Sequence, residues 1–293
     1  MSHKTLKNAP LVHAVLHLRF SEAPSLNPIS KDILKTLHQR MIQEGFPEKI
    51  ESPANMVDVV FNAELQQMSQ KQVQKSRVLF RAAGERDIVE ISEDSIVLKS
   101  TVYKGFDEFY PKFQSILNAC LEVLDGLKAT LLKSVGLRYI DIIVPQSGVP
   151  LDQYVSAEVL PPSLNMVEGA KHIQGATLKV VETKPGQVLV VNFEELQCFE
   201  NKVYKVLPDN LIEPDPSCGL IIDGQEGWLN VRSKTYGLLD VDHTHTFISS
   251  PVFSVEAIES ASQELYAHAS DVFWSVISDH ARKEWGEEHS DVE

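Results

Sequence analysis

Residues 11–20 read LVHAVLHLRF, and apolar Val12, Ala14, Leu16, Leu18 and Phe20 alternate with His13, Val15, His17 and Arg19. A polarity period of two predicts a half-buried strand. A loop containing Pro and Ser follows at 22–28. Ser30 then stands at an N-cap position, Ile33, Leu34, Leu37, Met41 and Ile42 recur at helical spacing, and Gly45 with Pro47 stops the helix. Runs at 56–61, 77–81, 88–91 and 96–102 read as strands of an antiparallel meander, with turns at 84–87 and 92–94. From about residue 107, Phe109, Phe113, Ile116, Leu117, Cys120, Leu121 and Leu124 form the apolar stripe of a long helix.

The pattern then repeats in outline. A strand is expected at 136–144, an irregular stretch rich in Pro and Gly at 145–174, and strands at 176–182, 187–193, 219–223 and 237–246. A second long helix is expected over 254–285, with Ile258, Ala261, Leu265, Ala269, Val272, Val276 and Trp285 on one face. Glu256 and Glu259 suit its positive N-terminal end. The polar tail 286–293 is expected to be mobile. Leu18-Arg19-Phe20 and Leu137-Arg138-Tyr139 open the two parts in the same way. The expected fold class is therefore α+β, in two similar halves, each an antiparallel sheet packed on a long amphipathic helix. The expected boundaries are 1–134 for the first domain and 135–285 for the second.

Charge changes this picture in one respect. Residues 1–190 balance 21 acidic against 21 basic side chains, whereas residues 191–293 hold 20 acidic and 6 basic, so the whole net charge of −14 lies in the last third. That third disfavours direct nucleic-acid binding, since a polyanion would be repelled. It would steer a basic protein partner toward Glu194, Glu195, Glu200, Asp209, Glu213, Asp215 and Glu226, the expected partner-binding residues. A solvated acidic surface is the plainer alternative. No apolar run approaches the roughly 18 residues of a membrane span, and no leader pattern is legible. The expectation is a cytoplasmic chain without a membrane partner. Cys120, Cys198 and Cys218 show no Cys-x-x-Cys spacing and read as reduced thiols.

Catalytic signatures are not legible, whether phosphate loop, dinucleotide fingerprint, His-Glu-x-x-His or Gly-x-Ser-x-Gly. No enzyme activity and no cofactor are expected. Asp240-Val241-Asp242-His243-Thr244-His245 comes nearest to a metal motif. On a strand, His243 and His245 share one face and the two aspartates the other, so no metal is expected there without a ligand from elsewhere. His13, His17 and Arg19 share the face opposite the apolar one. Arg19 and Arg138 occupy matching positions, and a buried Arg there is expected to pair with a carboxylate such as Asp141, with anion binding as the alternative. Trp228 reads as a core anchor or an exposed binding aromatic.

Ala9-Pro10-Leu11-Val12, Ala14-Val15 and Leu18-Arg19-Phe20 resemble the opening of a sporadically distributed prokaryotic family of two-domain α+β proteins. Gly136-Leu137-Arg138-Tyr139-Ile140-Asp141 resembles its mid-chain strand, and Leu239-Asp240-Val241-Asp242, Phe273-Trp274 and Trp285 resemble its last strand and helix. The chain departs from the family at His13 and His17, where acidic residues are common. Some members resemble immunity partners of secreted toxins, nuclease toxins of contact-dependent bacterial secretion systems among them. The resemblance implies an immunity protein that binds and neutralises a basic toxin, such as a nuclease, by occlusion. The alternative is a small-molecule or nucleotide sensor with a pocket between the two halves.

Overall fold

The computed structural model describes residues 3–290 except 24, 27, 63–66, 147, 163–167 and 169–172; for 3, 53–62, 67–76, 226, 289 and 290 it describes the backbone only. In chain order the elements are β1 (His3–Leu6), β2 (Leu11–Phe20), α1 (Lys31–Gln43), β3 (Glu48–Asn62), β4 (Gln67–Arg81), β5 (Asp87–Ser92), β6 (Ser95–Ser100) and α2 (Phe106–Val123). There follow β7 (Leu132–Ile143), β8 (Gln174–Lys184), β9 (Gln187–Gln197), β10 (Thr235–Thr246), α3 (Val255–Val276), α4 (Asp279–Trp285) and β11 (Glu287–Ser290).

The two expected sheets are one. Nine strands lie in the order β3-β4-β5-β6-β2-β7-β10-β9-β8, and β1 pairs with β11 in a separate two-stranded ribbon. Each block begins with a central strand, β2 or β7, and a meander returns to pair with it. Those two strands also pair with each other, antiparallel, with Leu16 opposite Leu137 and His17 opposite Gly136. Both are apolar on one face and neither is an edge, so their union leaves no inner edge unpaired. The boundary expected at 134/135 falls inside β7.

Alternation fixes what each face carries. Ala14, Leu16, Leu18 and Phe20 of β2 join Leu137, Tyr139 and Ile143 of β7 and Leu239 and Val241 of β10 in the main core. The buried stripes of α1, α2 and α3 close on the same side, including Leu37, Met41, Phe113, Ile116, Leu117, Ile258 and Leu265. Cys120 is fully buried among them, and burial pushes its thiol up to about 12. The opposite face is covered by the segment between β9 and β10. There Trp228 is a core residue, packed with Val12, Ile140, Ile142, Leu196, Tyr236 and Leu238.

Three expectations change locally. Residues 219–223 form no strand. Leu220 packs on Leu79 and Ile88, and Ile222 on the Trp228 cluster, so the apolar run anchors a covering loop. The last helix breaks at Ile277–Ser278, where the Ser278 amide donates to the Tyr154 carbonyl and its hydroxyl accepts from the Ala281 amide, capping α4. Of the tail 286–293, residues 287–290 form β11, with Leu6 opposite Glu287 and Lys4 opposite His289, and 291–293 lie outside the described residues.

Candidate functional site

Two cavities of similar size lie on the two faces of the sheet, about 500 Å³ under the covering segment and about 520 Å³ on the helix side. Both are in the range of ligand pockets. They differ in how their charged groups are compensated.

Under the covering segment the charges pair with one another. Arg77, its side chain 5% exposed, donates to Glu213 at 2.5 Å and to Glu90 at 3.2 Å. Lys99 meets Glu90 at 3.0 Å, and Lys205 meets Glu194 at 2.9 Å and Asp209 at 3.3 Å. Arg138 donates to both oxygens of Asp240, at 2.8 and 2.6 Å. Burial, with nearby Lys99 and Arg138, lowers His13 to about 4; burial, with Arg19, lowers His17 to about 4. Both imidazoles are therefore neutral at physiological pH.

The expected partner-binding residues separate accordingly. Glu194 and Glu213 are charge-compensated inside this network. Asp215 accepts hydrogen bonds from Ser52 and Ser217, which hold its carboxyl down to about 2. Glu195 is half-buried on the helix side of β9. Glu200 and Asp209 are exposed, and the Glu226 side chain lies outside the described residues. The charge of the last third is thus partly spent on internal cations rather than gathered in one patch.

The helix-side cavity is different. Its floor is Tyr139 and Asp141 of β7 and Val241 of β10, and its roof is a helical stripe of α3, namely Tyr266, Ala269, Ser270, Phe273 and Trp274. Tyr103, Lys104 and Gly105, leading into α2, form one wall, and residues 4–9 with Leu11 form another. Asp141 lies between Leu11 on β2 and Leu239 on β10, so neither sheet neighbour offers a hydrogen bond from its side chain. It is 1% exposed, its Oδ1 has no hydrogen-bond partner, and burial pushes its carboxyl up to about 8. The expected Arg138–Asp141 pair does not form. The two residues are three apart on a strand, and odd spacing sends them to opposite faces.

Around Asp141 the walls are aromatic. The Tyr103 and Tyr139 hydroxyls lie 3.1 Å apart, and burial raises both phenols. Tyr266 stacks on Phe106 at 4.3 Å between centroids. The cavity offers one uncompensated carboxyl, two coupled hydroxyls and flat apolar surface. These groups come from widely separated parts of the chain, so spacing motifs do not find them. One signal was present: Asp141 shares the apolar face of its strand with Leu137, Tyr139 and Ile143.

His243 does not join His245 in a metal site. The two ring nitrogens of His243 lie 3.2 Å from the Leu265 carbonyl and 3.0 Å from the Thr183 hydroxyl, which occupies both. Among the described residues no group of three or more His, Cys, Asp or Glu is placed to hold a metal ion, and no helix is long and apolar enough to cross a membrane.

No protein-family model and no curated protein matches the chain. Among solved structures, the crystal structure of the di-domain ARO/CYC StfQ from the steffimycin biosynthetic pathway aligns over 91% of this chain and 93% of that one, at 9% identity and a TM-score of 0.14. A likeness that slight carries no argument about fold or function.

Proposed function

We propose that the chain is a binding protein, not a catalyst, whose ligand is a small molecule held between the sheet and α3. The observation that carries this reading is the Asp141 carboxyl, buried at the floor of a 520 Å³ cavity with its Oδ1 unpartnered among the described residues. A buried polar group left unpaired costs about 1–3 kcal/mol, and more if charged, and such groups in a native protein call for an explanation. A ligand that satisfies Asp141 and covers the aromatic walls supplies one. Its lining draws residues 4–9, Leu11 and 103–105 from the first part of the chain and residues of β7, β10 and α3 from the second, which supports the sensor reading. A thermal-shift screen of small metabolites tests it: hits should stabilise the wild type and not Ala269→Trp, whose indole fills the cavity from α3. Hits that stabilise both proteins alike would place binding elsewhere.

A second reading, neutralisation of a basic toxin, keeps one specific support. The covering segment exposes Phe199, Tyr204, Ile212 and Leu229, at 68%, 56%, 61% and 71%, beside the exposed acids Glu200 and Asp209. Apolar anchors rimmed by like charge are what a complementary protein surface would meet.

A further inference from the structure

The chemistry around Asp141 narrows the ligand class, on the premise that the helix-side cavity is a binding site. Among the described residues no cation pairs with Asp141. Arg138, the nearest in sequence, is held by Asp240 on the other face. Among the described residues, the Tyr103 and Tyr139 phenols lie close enough to Asp141 for its charge to act on them, and burial keeps both neutral. Tyr103 and Tyr139 meet edge to face at 5.2 Å, and Tyr266 and Trp274 line the roof. The faces of such rings attract organic cations. The chain already shows this at the mouth, where the Lys4 ammonium lies 5.6 Å over the Trp274 ring.

We infer that the cavity receives a small organic amine with an aromatic body, its ammonium donating to Asp141 and its ring lying among Tyr103, Tyr266 and Trp274. An anionic ligand is the alternative that Lys4, Lys7 and Lys104 at the rim would suggest. Magnitudes decide against it. Lys4 and Lys7 are exposed and Lys104 lies 3.8 Å from Glu108, so salt and solvent screen them over roughly 8 Å. Asp141 is desolvated, and once an incoming group ionises it, its charge in low dielectric interacts with that group several times more strongly than a rim charge in water does. The inner carboxyl therefore selects the sign of the group that reaches it.

Titration calorimetry with three probes of matched shape tests the inference: phenethylamine, phenethyl alcohol and hydrocinnamate. Phenethylamine should bind the wild type at least about tenfold more tightly than the other two. Asp141→Asn, close to isosteric, should lose that preference. The wild type alone provides a second reading. The titratable and charged groups around Asp141 are Tyr103, Tyr139, Tyr266, Lys4, Lys7, Lys104 and Asp107. Only the ionised carboxyl accepts an ammonium fully, so phenethylamine affinity should rise by about tenfold from about pH 6 to 7 and more slowly toward 8. Alcohol or carboxylate binding as tightly as the amine, in competition with it, would overturn the amine assignment and leave the cavity as a ligand site. If none of the three binds, and no compound in the metabolite screen distinguishes the wild type from Ala269→Trp, the binding reading falls as well.

Discussion

Arg138 and Asp141 stand three residues apart on β7 and face opposite sides of the sheet. Arg138 is held by both oxygens of Asp240 across the strand pair, while Asp141 projects among Leu11, Leu239 and the aromatic side of α3 without a partner. The strand thus carries one compensated charge and one uncompensated carboxyl, and the two should respond differently to substitution.

On the compensated side, Asp240→Ala should destabilise the protein by about 3 kcal/mol, because it strands a guanidinium whose side chain is 14% exposed. Replacing both partners, Arg138→Met with Asp240→Leu, should recover most of that loss. Urea denaturation of the two variants provides the comparison. Equal losses in the single and double variants would show that the pair is not what stabilises the site.

On the uncompensated side the effect depends on pH. Burial raises the folded pKa of Asp141 to about 8, above the ordinary carboxylate value, so the folded state holds this proton longer than the unfolded chain. Stability from this group is fully present below about pH 4 and falls, by about 1.4 kcal/mol per unit, until about pH 8. His13 and His17 act in the other sense: burial lowers both to about 4, so their contribution is lost as pH falls from about 6.5 toward 4. The difference between Asp141→Asn and the wild type isolates Asp141. The variant should gain on the wild type steadily as pH rises from about 4 to 8. A difference that does not change with pH would show that Asp141 titrates normally.

The acidic residues of the last third should also divide. Reversing Glu200 to Lys should change stability by no more than about 0.5 kcal/mol, and reversing Asp209, which pairs with Lys205 at the surface, by about 1 kcal/mol. Glu213→Lys should cost about 2 kcal/mol or more, since it breaks the buried contact with Arg77 and adds a like charge beside it. If a basic protein partner exists, reversal at Glu200 and Asp209 should slow its association and flatten the salt dependence. Stopped-flow association at two ionic strengths measures this. A rate that is unaffected would remove these two residues from the interface.

How far the sequence could be read follows from the range of each signal. The period of two at 11–20 and the helical stripes of α1 and α2 are local, and each folded as the kind of element its pattern predicts, though β2 is buried on both faces rather than half-buried, with His13 and Val15 covered as well. The joining of β2 to β7 is not local. A strand buried on both sides by neighbours has the same alternation as one at an edge, so one sheet could not be told from two. The apolar run at 219–223 has strand composition, but it packs as an anchor, because burial and pairing leave the same trace in so short a segment. The Arg138–Asp141 expectation failed on parity, which the strand pattern itself already contained. The cavity was legible at a single residue, the carboxylate on the apolar face of β7. Its other walls come from α3, the lead into α2 and the ribbon of β1, whose meeting no spacing records.

The role of the cavity turns on Asp141 being buried and alone, and its carboxyl can be observed directly. The carbon-13 shift of the Asp141 carboxyl, followed by NMR in the free protein and with saturating phenethylamine, reports its ionisation. The expected midpoint is near 8 in the free protein, and it should move down when the amine binds. A midpoint near the ordinary value of about 4 in the free protein, unmoved by the amine, would contradict the account.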